Sequence, residues 1–489
     1  MDRRIRILLI VVVVVALAYP AAAWLLGMSV EHQWQEREQY ALQQFPYIVI
    51  VKRDYRRGVY NSTEEVTYGM SGMLARNLHA TGVAPASEHA QVTVRTTIHH
   101  GPLPQMRAFA PATADTEIVL PPEARQTLAA AFGSQAGMTI HTRMKWLGGA
   151  TTVVQSTAFQ HQEPEGGSIA WRGLDARIDF GREIGSGSLE LTAPGVSVKS
   201  PAVNLSFENL KLSSAVQPAF EVLSVGTIHV SLGRVDIEQP AKSIKASMHN
   251  FTIDTKGSVD GEYVSSDGTL VMDALEAGKF AATRLVLEVR FDHLHGPSTA
   301  ALVKTLRANE RDITVNSAPA DSVARMAAAF KTSGTDILTH APVLELPRIG
   351  FTTPDGELLM SIKASIPGVT HSDIDVAPQL LGAALVKHLQ ASLDVRVDTA
   401  LLDKLLDSTG KGDTIAAQMQ GLQRQGYLKL DGKALTTHLT FQSGRLKVND
   451  LPFPPMPAAG PGPGGPGAPG GPGAPGVPGA PGRPRTPPH

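Results

Sequence analysis

From Tyr47 onward the chain alternates apolar and polar residues in short runs, the two-residue period of half-buried strands. Tyr47–Val51, Val59–Met70, Thr139–Met144, Ser188–Leu191, Val203–Phe207, Ile228–Leu232, Lys245–Ile253 and Leu358–Ile366 all show it. Gly, Asn, Asp and Pro punctuate these runs as turns. The stretches around Gly181–Asn209 and Lys242–Asp267 read as antiparallel meanders, apolar on one face and rich in Ser, Thr, Lys or Glu on the other. Helical spacing is confined to shorter pieces: Val30–Phe45, stopped by Pro46, then Ala324–Phe330 and Leu380–Leu389.

Three stretches repeat one plan, an alternating strand followed by a short amphipathic helix. Thr116–Leu120 leads through Pro121-Pro122 into Glu123–Phe132; Leu285–Phe291 leads through His295-Gly-Pro297 into Ser298–Leu306; Leu393–Val397 leads through Asp398 into Thr399–Leu406. A proline in the first helical turn suits the first two copies, because its missing N–H is not needed there. The predicted fold class is α+β, β-dominant: an N-terminal transmembrane helix, then an elongated antiparallel-sheet body with short amphipathic helices and repeated strand–helix units.

The transmembrane expectation rests on Ile7–Leu26, twenty predominantly apolar residues preceded by Arg3, Arg4 and Arg6. That length spans a bilayer core as a helix, and the arginines keep the N-terminus in the cytoplasm. The competing reading is a signal peptide cleaved near Ala21-Ala22-Ala23; both readings export the body. The expected division is a cytoplasmic 1–6, an anchor over 7–26, β-rich periplasmic units over 27–210 and 211–455, and a Pro/Gly-rich tail over 456–489. Gly464–Pro484 is seven Gly-X-Y triplets, read as an extended, partly polyproline-II segment.

Composition narrows the chemistry. The 489 residues contain no cysteine, which excludes disulfides, thiolate metal sites and thiol catalysis. With 44 basic against 45 acidic residues there is no basic excess, so nucleic acid is not an expected partner. No Gly-x-Ser-x-Gly elbow and no phosphate-binding glycine pattern occurs. Asp398 and Asp403 read as cap and surface carboxylates. His99-His100 and His293-Leu-His295 are the histidine clusters; His293 and His295, two apart, can share one side of a strand, but Asp292 beside them faces the other way. No catalytic, cofactor-binding or metal residues are assigned.

Several motifs in order resemble the YdgA-like family of Gram-negative, inner-membrane-anchored envelope proteins. They are the N-terminal apolar segment; Tyr55-Arg-Arg-Gly-Val-Tyr-Asn-Ser62, with Tyr55, Gly58, Tyr60 and Ser62 at the motif positions; His100-Gly101-Pro102; Trp171-x-Gly173; Pro342–Leu346 with Thr353–Gly356; and Gly444-Arg-Leu-Lys-Val-Asn449. Asn449 is followed by Asp450 where that family usually has Gly. The resemblance implies a single-pass inner-membrane protein with a periplasmic body, no established activity and self-association. His-Gly-Pro reads as turn geometry, since Gly and Pro set a sharp strand exit.

The functional expectation is a non-enzymatic envelope protein binding lipid or a lipidated partner on an apolar sheet face. The alternative is a homo-oligomeric scaffold that binds envelope proteins through sheet edges; an envelope-polymer hydrolase is a third reading, which a pocket joining His100 or His295 to a carboxylate and a serine would revive.

Overall fold

The structure, a computed structural model, describes residues 3–80, 91–119, 137–162, 166–201, 203–240, 243–313, 318–376, 378–408 and 412–453. Its strands are β1 (Ile48–Arg57), β2 (Asn61–Met70), β3 (Val92–His100), β4 (Ala112–Val119), β5 (Met138–Met144), β6 (Ala150–Ser156), β7 (Phe159–Gln162), β8 (Ser168–Trp171), β9 (Leu174–Phe180), β10 (Gly187–Lys199), β11 (Asn204–Phe220), β12 (Leu223–Gln239), β13 (Ile244–Asp260), β14 (Tyr263–Ala277), β15 (Phe280–His295), β16 (Val343–Thr353), β17 (Gly356–Ser365), β18 (Gln390–Asp398), β19 (Lys429–Asp431), β20 (Ala434–Gln442), β21 (Arg445–Val448) and β22 (Leu451–Pro452). They pair antiparallel in a single sheet. Its backbone runs β1-β2-β3-β4-β5-β6-β9-β10, then in sequence order through β18 to β20 and β21. Residue 210, the expected boundary between two units, lies in the middle of β11.

Helices cover parts of one face. Helix α1 (Arg3–Gln44) packs on β1, β3 and β4; α3 (Gly296–Arg311) on β11, β12 and β15; α8 (Thr399–Ser408) on β17 and β18. The others are α2 (Gly72–Ala80), α4 (Pro319–Ala329), α5 (Thr335–Leu338), α6 (His371–Ile374), α7 (Pro378–Val386) and α9 (Gly412–Arg424). Under α1 lies a core of Val30, Ile98, Ala112, Ala114 and Met144, flanked by Trp34 and Tyr55. A second core, Val397, Leu401 and Leu435, sits under α8.

The transmembrane helix is the part of the expected fold that the structure overturns. Among the described residues no helix is long and apolar enough to cross a membrane. The helix does not end near Leu26 but continues to Gln44 through Glu31, Glu36, Arg37 and Glu38. From Tyr19 on it serves as a lid on the sheet, with Ala23 and Val30 fully buried against protein. The side chains of residues 7–18 lie outside those described. Of the three strand–helix repeats, β15–α3 and β18–α8 are present, while the helix expected over 123–132 and the Gly-X-Y tail fall outside the described residues.

In antiparallel pairs, directly opposed residues share a face. On that rule one apolar row crosses ten strands: Ala176, Leu191, Leu212, Val230, Ile253, Leu270, Leu287, Ile349, Met360 and Val395 are each opposite the next. A second line crosses β11 to β15 through Asn209, Gly233, Asn250, Asp273 and Arg284. Three of these, Asn209, Asn250 and Arg284, have φ of 57°, 48° and 52°. At this line every strand shifts its apolar phase by one residue, from Phe207 to Leu210, Leu232 to Val235, Met248 to Phe251, Met272 to Leu275 and Ala282 to Leu285. Left-handed residues turn β11, β13 and β15 there while β12 and β14 cross the line at Gly233 and Asp273, and strands of 15 to 17 residues in β11–β14 keep their apolar residues toward one side as the sheet coils.

Asn tolerates the left-handed region and Gly adopts it freely, whereas a β-branched residue is strained there. Asn250→Gly is expected to stay within about 0.5 kcal/mol of the parent. Asn250→Val is expected to lose about 1–2 kcal/mol. Urea denaturation with an unchanged m-value checks both.

Candidate functional site

Two corners carry the sequence His-Gly-Pro, each at the end of a long-paired strand. At the first, β3 ends in His100, only 2% exposed. Its Nδ1 lies 3.0 Å from the Ala23 carbonyl oxygen of α1 and its Nε2 3.1 Å from Ser62 Oγ. A carbonyl only accepts, so Nδ1 carries the proton and Nε2 accepts from the Ser62 hydroxyl. Burial pulls its pKa below the ordinary value, which favours this neutral imidazole. A Cβ on Gly27 would stand 2.9 Å from the ring, so the ring and helix meet only because residue 27 has no side chain.

The other motif positions gather round this contact. The Tyr60 carbonyl accepts from the His100 N–H at 2.9 Å, and its ring lies 6.0 Å from that of Tyr19. Tyr19 donates to the Leu103 carbonyl at 2.8 Å. Gly101 has φ +132°, and a Cβ there would meet Tyr19 and Ala23 at 3.2–3.4 Å. Pro102 follows, half-buried, and Gly58 closes the β1–β2 turn by donating to the Asn61 carbonyl at 2.8 Å. Tyr55 packs on the core below, its ionisation pushed up by burial. His99 points the opposite way, onto Asn61 and Gln105 at 2.7 and 2.6 Å. Sequence reasoning found the strand side of this clasp and missed Tyr19, Ala23 and Gly27; the one available signal was a glycine inside a helical stretch.

Gly444 and Asn449 belong to neither corner. Ser443-Gly444 and Asn449-Asp450 all have positive φ and form the two-residue turns flanking β21. Asn449 also accepts from the His438 N–H at 3.0 Å and donates to the Gly426 and Tyr427 carbonyls.

At the second corner, His295 precedes α3. Its Nδ1 is 2.6 Å from Ser298 Oγ, and that hydroxyl donates to Asp336. Because the serine proton goes to Asp336, Nδ1 must donate to the serine oxygen, so in the neutral ring the lone pair is on Nε2. This arrangement unites histidine, serine and carboxylate, but His295 donates to the serine oxygen and so is not placed to take its proton, as nucleophilic catalysis through a histidine base requires. His340 stacks on His295 with centroids 3.8 Å apart and planes at 3°. Its Nδ1 lies 3.0 Å from the Asp336 carbonyl oxygen and 3.1 Å from Thr339 Oγ1. His293 does not join His295; its φ is +60°, its Nδ1 donates to the His340 carbonyl at 2.7 Å, and its ring stacks on Tyr263. Gly296 is required because a Cβ would enter the Phe220 ring at 2.2 Å. Asp336 and His340 were missed, although their i,i+4 spacing is a legible signal for one helix face.

A third feature is a cavity of about 500 Å³ between the C-terminal half of α1 and β9–β12, lined by Phe45, Ile178, Phe180, Leu189, Val216 and Ile228. Arg37 and Arg307 flank it, donating to the Gly181 and Val222 carbonyls at 2.9 and 3.4 Å. Burial lowers both guanidinium pKa values, and neither forms an ion pair among the described residues.

Linkage at His100 has a definite sign. The unfolded chain protonates this residue near pH 6.5 and the folded chain only at lower pH, so between the two the unfolded state holds more protons. Stability should therefore fall as pH drops below about 6.5, and His100→Gln should flatten that slope in urea titrations relative to the parent. Gly27→Ala should cost about 1–3 kcal/mol through overpacking against the ring, read in the same titrations.

Neither the curated proteins nor the solved structures contain a match to this chain. A family model described as "Bacterial protein of unknown function (DUF945)" matches residues 1–456, so everything but the Pro/Gly-rich tail belongs to that family and the chain is one of its members.

Proposed function

We propose that this is a cell-envelope protein that binds an anionic, acyl-chain-bearing lipid in the groove between α1 and the sheet. The observation that carries the reading is the pairing of an apolar cavity with two half-buried guanidiniums, Arg37 and Arg307, that have no carboxylate partner among the described residues. A partly desolvated cation without a counter-charge is costly, and an incoming phosphate or carboxylate offsets that cost through charge-assisted hydrogen bonds. Arginine's planar fork suits a phosphate in particular.

The apolar end has room to continue. Leu189, Val216 and Ile228 in the cavity wall share strands with Leu191, Leu212 and Val230 of the ten-strand row, two or four residues away and hence on the same face. Ten strands at a spacing of about 4.8 Å make that row roughly 43 Å long. Its members from Leu191 to Val395 are half-buried, and among the described residues no helix packs substantially on β13, β14 or β16. The envelope setting draws on the resemblance to YdgA-like proteins.

Native mass spectrometry of the full chain with phosphatidylglycerol and with phosphatidylcholine tests the reading. Phosphatidylglycerol should bind in preference, and Arg37→Gln/Arg307→Gln should weaken it by roughly tenfold or more, since each charged hydrogen bond is worth about 1.5–3 kcal/mol. Ile228→Glu should abolish uptake of both lipids. Equal binding of both lipids by the parent and both variants would sink the proposal.

A further inference from the structure

The structure assigns a second site: we propose that the His295-Gly-Pro297 corner binds a zinc ion through His295, Asp336 and His340. Each of the three offers a ligand atom within 4.8 Å of the others, and all three are half-buried. They come from the end of β15 and from the turn of α5, segments separated by some forty residues in sequence and joined only by the fold.

The hydrogen bonds around the two imidazoles support ligation more directly than proximity does. Both rings donate Nδ1–H to a protein oxygen, His295 to Ser298 Oγ and His340 to the Asp336 carbonyl. With Nδ1 committed in this way, the neutral form of each ring presents Nε2 as its lone-pair nitrogen, and metal-binding histidines characteristically donate their other ring nitrogen like this. Ser298 takes one carboxylate oxygen of Asp336 and leaves the second available. Glu262 brings a further oxygen to 4.0 Å from His295 Nε2, so a fourth ligand is at hand from the β13–β14 turn.

Two imidazoles with carboxylate oxygens form the nitrogen and oxygen set that suits zinc, and the chain has no thiolate to compete. Zinc bonds of about 2.0–2.1 Å place tetrahedral donors about 3.4 Å apart. Binding therefore draws the three residues inward and tilts the imidazoles out of their parallel stack. The ion would tie the start of α3 to α5 at the rim of the sheet, a junction otherwise held by Ser298 and the ring stack.

The test uses the untagged full chain, stripped with chelator and titrated with zinc sulfate by calorimetry and with cobalt(II) by visible absorption. One zinc per chain is expected, with cobalt bands typical of a nitrogen- and oxygen-ligated four- or five-coordinate ion. His295→Ala/His340→Ala should remove both signals. Ser298→Ala leaves every ligand in place and should weaken zinc binding by ~10–100-fold. If circular dichroism shows that the double variant does not fold, Asp336→Asn and His340→Gln carry the same comparison. Absence of stoichiometric binding, or binding that the folded variants leave unchanged, overturns the proposal, the latter meaning adventitious zinc on exposed histidines.

Discussion

An antiparallel sheet this broad has one apolar face to remove from water, and the chain supplies few helices to do it. That constraint shapes the rest of the molecule. Helix α1 packs along β1, β3 and β4, and its buried face, which runs from Ala23 through Val30 to Trp34, adds Val30 and Trp34 to that core. Helix α8 does the same for the last strands with Leu401 and Leu402. Between them the apolar row lies half-buried, and the left-handed residues Asn209, Asn250 and Arg284 keep both halves of β11, β13 and β15 facing the same way. A groove at the border between covered and uncovered sheet follows from that shortage of cover.

The two His-Gly-Pro corners show how one local geometry serves different surroundings. In both, glycine lets a neighbour come close: Tyr19 and Ala23 pack on Gly101 at the first, and at the second a Cβ would enter the Phe220 ring. What faces the histidine differs. His100 meets a helix carbonyl and a buried hydroxyl, which fix one neutral tautomer and seat α1 on the sheet. His295 meets a serine already committed to a carboxylate, and a second histidine, which leaves ring nitrogens open.

Charge is treated just as unevenly along α1. Glu38 and the buried Glu64 share Arg53, and Tyr68 donates to Glu38 at 2.7 Å, so this network is satisfied within the protein. One residue away in sequence, Arg37 lies over the Phe180 ring and hydrogen-bonds only a carbonyl among the described partners. The contrast sets the groove apart from the closed core beside it.

Period-two alternation was enough to identify the strands and their dominance, because side-chain direction in a strand depends on local backbone alone. Turn glycines such as Gly58 and Gly444 and the strand–helix units at β15 and β18 were legible for the same reason. The apolar N-terminal stretch misled: apolarity records that a segment avoids water, while whether lipid or a sheet takes water's place is settled by what folds against it, and from Tyr19 on the sheet does. The sites were hidden for a related reason. His100 gains its meaning from Ala23, 77 residues earlier, and His295 from Asp336 and His340, some forty residues later. Local sequence determined the strands, turns and histidine corners; only the tertiary pairing of distant segments decided which polar groups meet, because those contacts depend on sheet register and helix placement that no local pattern encodes.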